Sequence, residues 1–487
     1  MRFVIGLILF IHSTAIVLAG ESFTPNCRQA LYHILNLDFA KANAYIHNES
    51  QVNPSSIYIP YLQNYSDFVN IAINEDPSTI ASYANNFEER VTSIERNSAD
   101  NNEKQWMLSE MYLQSSVLYG KLNLKLAALR HLYTAEKYLA RYAGYKTRDA
   151  KTARLLPVVW LVNLYMPGVI KKMLPISEQT PEKAFSMLNE YRRQVASDTL
   201  LTLEADILTA FLINQFGKEY KASCAELLPK VEKSGYSALF SLSGSLLAVR
   251  AGNSNEALRI LSNYRSKVKQ PYYFYYYLTG ELKTNLGRGG EEDFKYFLKN
   301  YKGKNYVKAA WLKLGWNYLE KSDTLAYRNC MQNAISKGVK WVEADIYVNS
   351  EALKGTIPNK NLLRARLFFD AGLYSQAKEV MLKDQTIQSL ASTQQQLEYI
   401  YRQARIDHAL GEITLAKRYY KQVVQLGKDY PYYFAAYSAL QLGIISESER
   451  DIASAKSYYD TCLKLNKYEY SGSIEAKARE GIRRITQ

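Results

Sequence analysis

Across 487 residues there are only 4 cysteines, 5 histidines and 12 prolines. Cys27, Cys224, Cys330 and Cys462 are too widely spaced for a metal-ligand pair or a disulfide framework. Cys330 and Cys462 fall inside helical apolar patterns, where a free thiol packs as a small hydrophobe. The histidines beyond residue 19 are His33, His47, His131 and His408, with no His-Glu-x-x-His pair, so zinc chemistry has no support and no cofactor is implied. A Gly-x-Ser-x-Gly elbow is missing. Gly287-Arg288-Gly289-Gly290 lacks the Lys-Ser/Thr ending and the preceding strand of a phosphate loop, so it reads as a turn between helices. Glu291-Glu292-Asp293 reads as solvated charge on an exposed turn. The chain is therefore read as non-catalytic.

Long apolar runs are also few. Met1-Arg2 is followed by the apolar stretch Phe3 to Leu18, and Val17-Leu18-Ala19 suits a cut before Gly20. That is the pattern of a signal peptide over residues 1–19, with a membrane anchor as the competing reading. It predicts export to a periplasmic, outer-membrane-associated or extracellular location. Cys27 lies beyond the apolar region, so no lipid attachment site is evident. Leu155 to Ile170 is uncharged but contains Pro157, Asn163 and Pro167, and falls short of the roughly 20 residues a membrane span needs. It reads as a buried helix. Lys171-Lys172 directly after it leaves contact with an anionic membrane surface open.

Charge of one sign is in excess but never concentrated. The net charge is +14, yet no run of five or six Lys or Arg occurs. A basic surface attracts acidic proteins, anionic lipids or nucleic acid, and export disfavours the last.

Tyrosine, by contrast, is abundant, at 41 residues, and the apolar spacing is helical throughout. Asn26 to Ala44 reads as one helix, followed by a loop at Asn53-Pro54-Ser55-Ser56. Trp106–Tyr119 and Leu124–Tyr142 read as an antiparallel pair joined near Gly120, with Leu126, Leu129, Leu132 and Leu139 on the apolar stripe of the second. Thr180-Pro181-Glu182 carries the cap, first-turn proline and early acid of a helix start.

The strongest motif is Trp311-Leu312-Lys313-Leu314-Gly315-Trp316-Asn317-Tyr318. Trp311, Leu314 and Tyr318 recur on one helical face, and Gly315 leaves room for a second helix. This segment resembles the first helix of a tetratricopeptide repeat, W-x2-L-G-x2-Y. The resemblance implies a small residue at repeat position 8, a turn residue at 15 and a small residue at 20. Ala404, Gly411 and Ala416 fit, as do Ala365, Gly372 and Ala377. Gly443 and Ala455 continue the frame with Arg450 at the turn, and Gly252 with Ala257 marks an earlier unit. Glu292 and Tyr327 depart from the small position 20. An extra helical segment at Trp341–Tyr347 lengthens one step.

The fold expected is all-α, a TPR-like right-handed solenoid of antiparallel helix hairpins. Residues 231–487 form the repeat array, and 20–230 form a helical region of diverged repeats or a separate domain. The family's ligand-contacting positions map to Phe274, Tyr277, Glu281, Leu312, Trp316, Leu319, Arg366, Phe369, Tyr401, Arg405, His408 and Tyr437. Rings give rigid apolar contact and guanidinium groups fork onto carboxylates, which suits peptide recognition. The competing possibility is that these residues are buried against neighbouring helices. The Lys/Asn set that grips a terminal carboxylate in some relatives is absent. The expectation is a scaffold holding a protein or peptide partner; the alternative is a glycan-binding component of an outer-membrane nutrient uptake system.

Overall fold

Every regular element among the described residues is a helix, 25 in all, with no strand. The computed structural model describes residues 23–97, 102–142, 144, 148–164, 166, 168–177, 179–269, 271–353, 355–383, 390, 392–465 and 471–486. The expected signal peptide and Pro167 lie outside them. No helix of the described residues is long and apolar enough to cross a membrane. In chain order the helices are α1 (Pro25–Leu35), α2 (Phe39–Val52), α3 (Tyr58–Asn74), α4 (Pro77–Asn97), α5 (Asn102–Lys121), α6 (Lys125–Arg141), α7 (Ala150–Leu164), the single turn α8 (Gly168–Lys171), α9 (Pro181–Gln194), α10 (Thr199–Phe216), α11 (Tyr220–Lys233) and α12 (Ala238–Arg250). There follow α13 (Ser254–Lys267), α14 (Tyr273–Asn285), α15 (Glu291–Asn300), α16 (Val307–Glu320), α17 (Thr324–Ser336), α18 (Glu343–Leu353), α19 (Lys360–Asp370), α20 (Tyr374–Lys383), α21 (Thr393–Ala409), α22 (Ile413–Gly427), α23 (Tyr433–Ser448), α24 (Ile452–Lys464) and α25 (Ser471–Thr486). They fall into two compact units, Met1–Lys283 with Gly289–Gly355, and Thr284–Arg288 with Thr356–Gln487.

One turn recurs through both units. Gly252, Gly287, Ser322, Gly372, Gly411 and Arg450, the residues at repeat position 15, all adopt positive φ between 62° and 83°. At Gly411 the N–H donates to the His408 carbonyl and the next N–H, of Glu412, to the Asp407 carbonyl. This paired bonding satisfies the last carbonyls of the first helix and reverses the chain. The same pair closes the turns at Gly252, Ser322, Gly372 and Arg450. It also closes two turns that the sequence frame did not reach, at Leu37 (φ 58°) and Asn123 (φ 62°). Asp38, Asn253, Asp323 and Asp451 follow four of these turns and cap the second helix by accepting a backbone N–H.

The helices of each hairpin meet at small residues on either side of this turn. Ala30 faces the turn's far side with Ala42, Ser116 with Ala128, Ser245 with Ala257, Ala365 with Ala377, and Ala404 with Ala416, all buried. The two departures have separate causes. Gly287 and Gly289 are both left-handed, and the longer turn offsets α15, so Phe294 rather than Glu292 lies against Gly280, 3.1 Å from where a Cβ would stand. At Gly315 the vacant space is filled by Tyr327, Cys330 and Met331, the first at 3.3 Å.

Several sequence expectations are corrected. Asn26 to Ala44 is not one helix: the left-handed Leu37 splits it into α1 and α2. Leu126 is 84% exposed, because the inner face of α6 is set by Ala128, His131, Leu132, Ala135 and Leu139. Glu291, Glu292 and Asp293 form the first turn of α15, where carboxylates complement the helix dipole, rather than a free turn. Leu155 to Leu161 is buried as expected, although the helix ends at Leu164 and does not reach Ile170.

The first unit is closed on itself by polar contacts. Arg28 of α1 forks onto Asp198, the cap of α10, at 2.8 and 2.9 Å. Ser237 Oγ, ahead of α12, donates to the Leu35 carbonyl. A buried polar centre joins α3, α5, α7, α9 and α10. Arg154 of α7 donates to Glu110 of α5 at 2.7 Å and stands 3.7 Å from Glu204 of α10. Tyr61 and Gln114 each donate to Glu110 at 2.9 Å, and Tyr191 donates to Glu204. Further along, α16 starts without a side-chain cap of its own, and Asp345 of α18 supplies one, accepting from the Tyr306 and Ala309 N–H groups at 2.6 and 2.9 Å. Burial raises the Asp345 carboxyl to about 7.

Candidate partner-binding face

Helices α19, α21 and α23 are the first helices of three successive hairpins in the second unit, and α21 packs against both others. Tyr401, Arg405 and His408 share one face of α21 by their spacing of four and three residues. That face meets Phe369 from α19 and Tyr437 from α23. The Arg405 guanidinium carbon stands 4.1 Å from the centre of the Phe369 ring, 5.7 Å from Tyr401 and 5.8 Å from Tyr437. Tyr401 is buried and fixes the arrangement from below, edge-on to Tyr433 and Tyr437 at 5.7 and 5.8 Å.

Three rings around a cation hold it through their negative faces. They do not satisfy its N–H groups. Among the described residues no hydrogen bond or ion pair engages the Arg405 guanidinium, and the residue is half-buried. The neighbouring tyrosines and Asp370 favour its charged form against the cost of burial. Arg366, half-buried one helix away, has its Nε 3.7 Å from Asp370. By contrast Arg402, one turn before Arg405 on α21, is paired with Glu398. His408 is half-buried with Nδ1 3.5 Å from the Tyr420 hydroxyl, and burial lowers its pKa.

The remaining sequence-predicted residues lie in the first unit and are placed differently. Phe274 and Tyr277 are buried, packed on Tyr306 at 4.9 and 5.1 Å. Leu312, Trp316 and Leu319 are buried in the body of α16, with Lys313 reaching over the Trp316 ring to pair with Glu281. These side chains hold helices together and leave little surface for a ligand. The structure thus brings together the set Phe369, Tyr401, Arg405 and Tyr437, with Arg366 beside it.

Two further sites were not apparent from the sequence. A polar cleft of about 530 Å³ lies over α3 between α2 and α4, lined among others by Asn43, His47, Gln63, Asp67, Asn86 and Arg90. Arg90 bonds Asp67 at 2.8 Å, while its Nη1 is buried without a partner. Its residues come from three helices and have no common motif, so no sequence signal could have collected them. The second is Glu136, buried between α6 and α7, which accepts from Asn163 at 2.9 Å and from the Ile176 N–H at 2.7 Å. Burial carries its carboxyl from 4.5 to about 7. It anchors the segment after α8; Val169 within α8 and Met173 just after it are 78% and 70% exposed beside the exposed Lys172.

Among the described residues no three of His, Cys, Asp or Glu come together as a metal site requires. No protein-family model matches the chain, and no curated protein matches it significantly.

Proposed function

We propose that this protein is a non-catalytic scaffold of the cell envelope or exterior, in which the hairpins of each unit stack as a TPR-like, right-handed α-solenoid and the first helices of the hairpins present a face to a protein partner. The observation that carries this reading is the recurrence of one left-handed turn flanked by small helix-contact residues, from Leu37 to Arg450. Similar hairpins that meet through small residues favour stacking on their neighbours, which yields extended binding faces. The export signal expected over residues 1–19 supplies the location.

Photo-crosslinking amino acids placed at Phe369 and Tyr437 test the role in the source cell. The expected product is a covalent complex with an envelope or exterior protein, absent when the crosslinker is moved to the buried Ala416. Recovery of the protein in the cytosol with its first residues retained would count against export.

A second reading, glycan binding, is favoured by the cleft over α3. Amide side chains and an Asp–Arg pair offer donors and acceptors of both kinds, as hydroxyl-rich ligands require. Saturable binding on a glycan array, lost in Asp67→Asn, would favour that reading over the scaffold. Membrane contact through Val169, Lys172 and Met173 is a subsidiary proposal of the same kind, tested by flotation with anionic vesicles.

A further inference from the structure

The scaffold reading leaves the chemistry of the partner open, and Arg405 narrows it. An arginine held against rings and not against a carboxylate is unusual inside a packed face, because its five N–H donors need acceptors. Four other cations of the second unit are matched by carboxylates: Arg402 with Glu398, Lys378 with Asp407 and Glu412, Lys417 with Glu449, and Arg484 with Glu447. Arg405 alone among these is enclosed by Phe369, Tyr401 and Tyr437, with no acceptor supplied among the described residues. Cation–ring contacts fix the plane of the guanidinium and leave its N–H edge for an acceptor from outside.

We infer that Arg405 is the receptor for an aspartate or glutamate side chain carried within an apolar segment of the partner, the carboxylate accepting the guanidinium's N–H groups while flanking apolar residues lie on Phe369 and Tyr437. This rests on the scaffold reading. The position of the residue decides between a side-chain carboxylate and a chain end. Arg405 belongs to the middle helix of three, with Phe369 contributed by the preceding hairpin and Tyr437 by the following one. A segment crossing all three helices therefore has apolar wall on both sides of its acidic residue. A terminal carboxylate would use one wall only.

The probes are dye-labelled peptides measured by fluorescence anisotropy against the full chain. The first is acetyl-Gly-Phe-Glu-Phe-Gly-amide; the second replaces its Glu by Gln; the third is acetyl-Gly-Phe-Phe with a free carboxylate end. The expected result is saturable binding of the first, weakened about tenfold in the second, as loss of a charge-assisted fork requires. The third binds more weakly than the first. Arg405→Lys keeps the charge but not the planar fork, and loses about tenfold in affinity for the first probe with its melting temperature retained. Equal binding of the Glu and Gln probes, no saturable binding of the first, or full affinity in Arg405→Lys would each overturn the inference. Tighter binding of the free-ended probe would also overturn it, by assigning the site to a chain end. Because the Gln comparison changes only the peptide, it stands even where a variant folds poorly. Should these results go against Arg405 while crosslinks from Phe369 and Tyr437 to a protein persist, the scaffold reading survives and only the acidic segment is lost.

Discussion

Ser116 Oγ donates to the carbonyl of Ala128 at 2.7 Å, across the contact between α5 and α6. Ser245 makes the corresponding bond to Ala257 at 3.3 Å, across α12 and α13. In both hairpins the serine precedes the left-handed residue by seven positions and the alanine follows it by five, with Asn123 and Gly252 as the turns. A hydroxyl in place of a methyl thus keeps the helices close and gives its own polar group a partner. The relationship places a hairpin of the N-terminal half in the same local frame as those of the C-terminal half.

The turn residues predict opposite effects from exchanging glycine. Gly411 has φ 83°, and a Cβ there would touch nothing within 4 Å, so Gly411→Ala costs only backbone strain, about 1 kcal/mol. Arg450 already bears that strain at φ 62°, and Arg450→Gly stabilises by about 0.5 kcal/mol after the larger entropy of the unfolded glycine is set against it. Urea melts of both variants check the pair of signs.

Close packing at the C-terminal end gives a larger effect. The Tyr459 ring is held between Gly443 and Gly481, and a Cβ at Gly443 would come within 2.5 Å of it. The ring cannot swing aside, since its hydroxyl donates to Glu447, which Arg484 holds with two bonds of 2.9 Å. Gly443→Ala is expected to destabilise by about 1–3 kcal/mol, read by the same melts, and Tyr459→Leu in that background to recover part of the loss.

Breaking the polar centre of the first unit should be costlier still. Arg154 is buried against Glu110 and Glu204, so Arg154→Met leaves two carboxylates without their cation. A loss of about 3–5 kcal/mol follows, against a smaller loss when Glu110→Gln and Glu204→Gln are added. A triple variant no more stable than Arg154→Met alone would contradict the electrostatic origin.

Stability should fall as pH rises from 5 to 8. Glu136 and Asp345 both reach about 7 in the folded protein, above their ordinary 4.5 and 3.8. Their contribution is complete below those ordinary values and is lost as pH climbs through about 7. For Glu136 the change is at most about 3 kcal/mol. His131, lowered to about 4 by burial, acts in the opposite sense, its contribution present above 6.5 and lost towards pH 4. Glu136→Gln is expected to lower stability at pH 5 and to flatten the decline towards pH 8, as followed by melting temperature. An unchanged slope in that variant would assign the pH dependence elsewhere.

Sequence by itself determined the local features of this protein: helices from apolar spacing, the helix start at Thr180-Pro181, and turns at Gly252, Gly287, Gly372 and Gly411, because each depends on neighbours a few residues apart. The frame even placed Arg450 at a turn, since the small Gly443 and Ala455 on either side carried the register where glycine did not. Leu37 and Asn123 escaped it because neither turn carries a glycine and no strong motif lies nearby to extend the register to them; their positive φ shows only in the folded turn. Tertiary structure alone decided which aromatic residues became core and which remained a face. Trp316 and Tyr437 both fall at ligand-contacting positions of the repeat frame, yet one is sealed by its neighbours and the other borders Arg405. That difference, like the meeting of Arg154 with Glu110 and Glu204, depends on side chains brought together from distant helices, and helical periodicity carries no information about them.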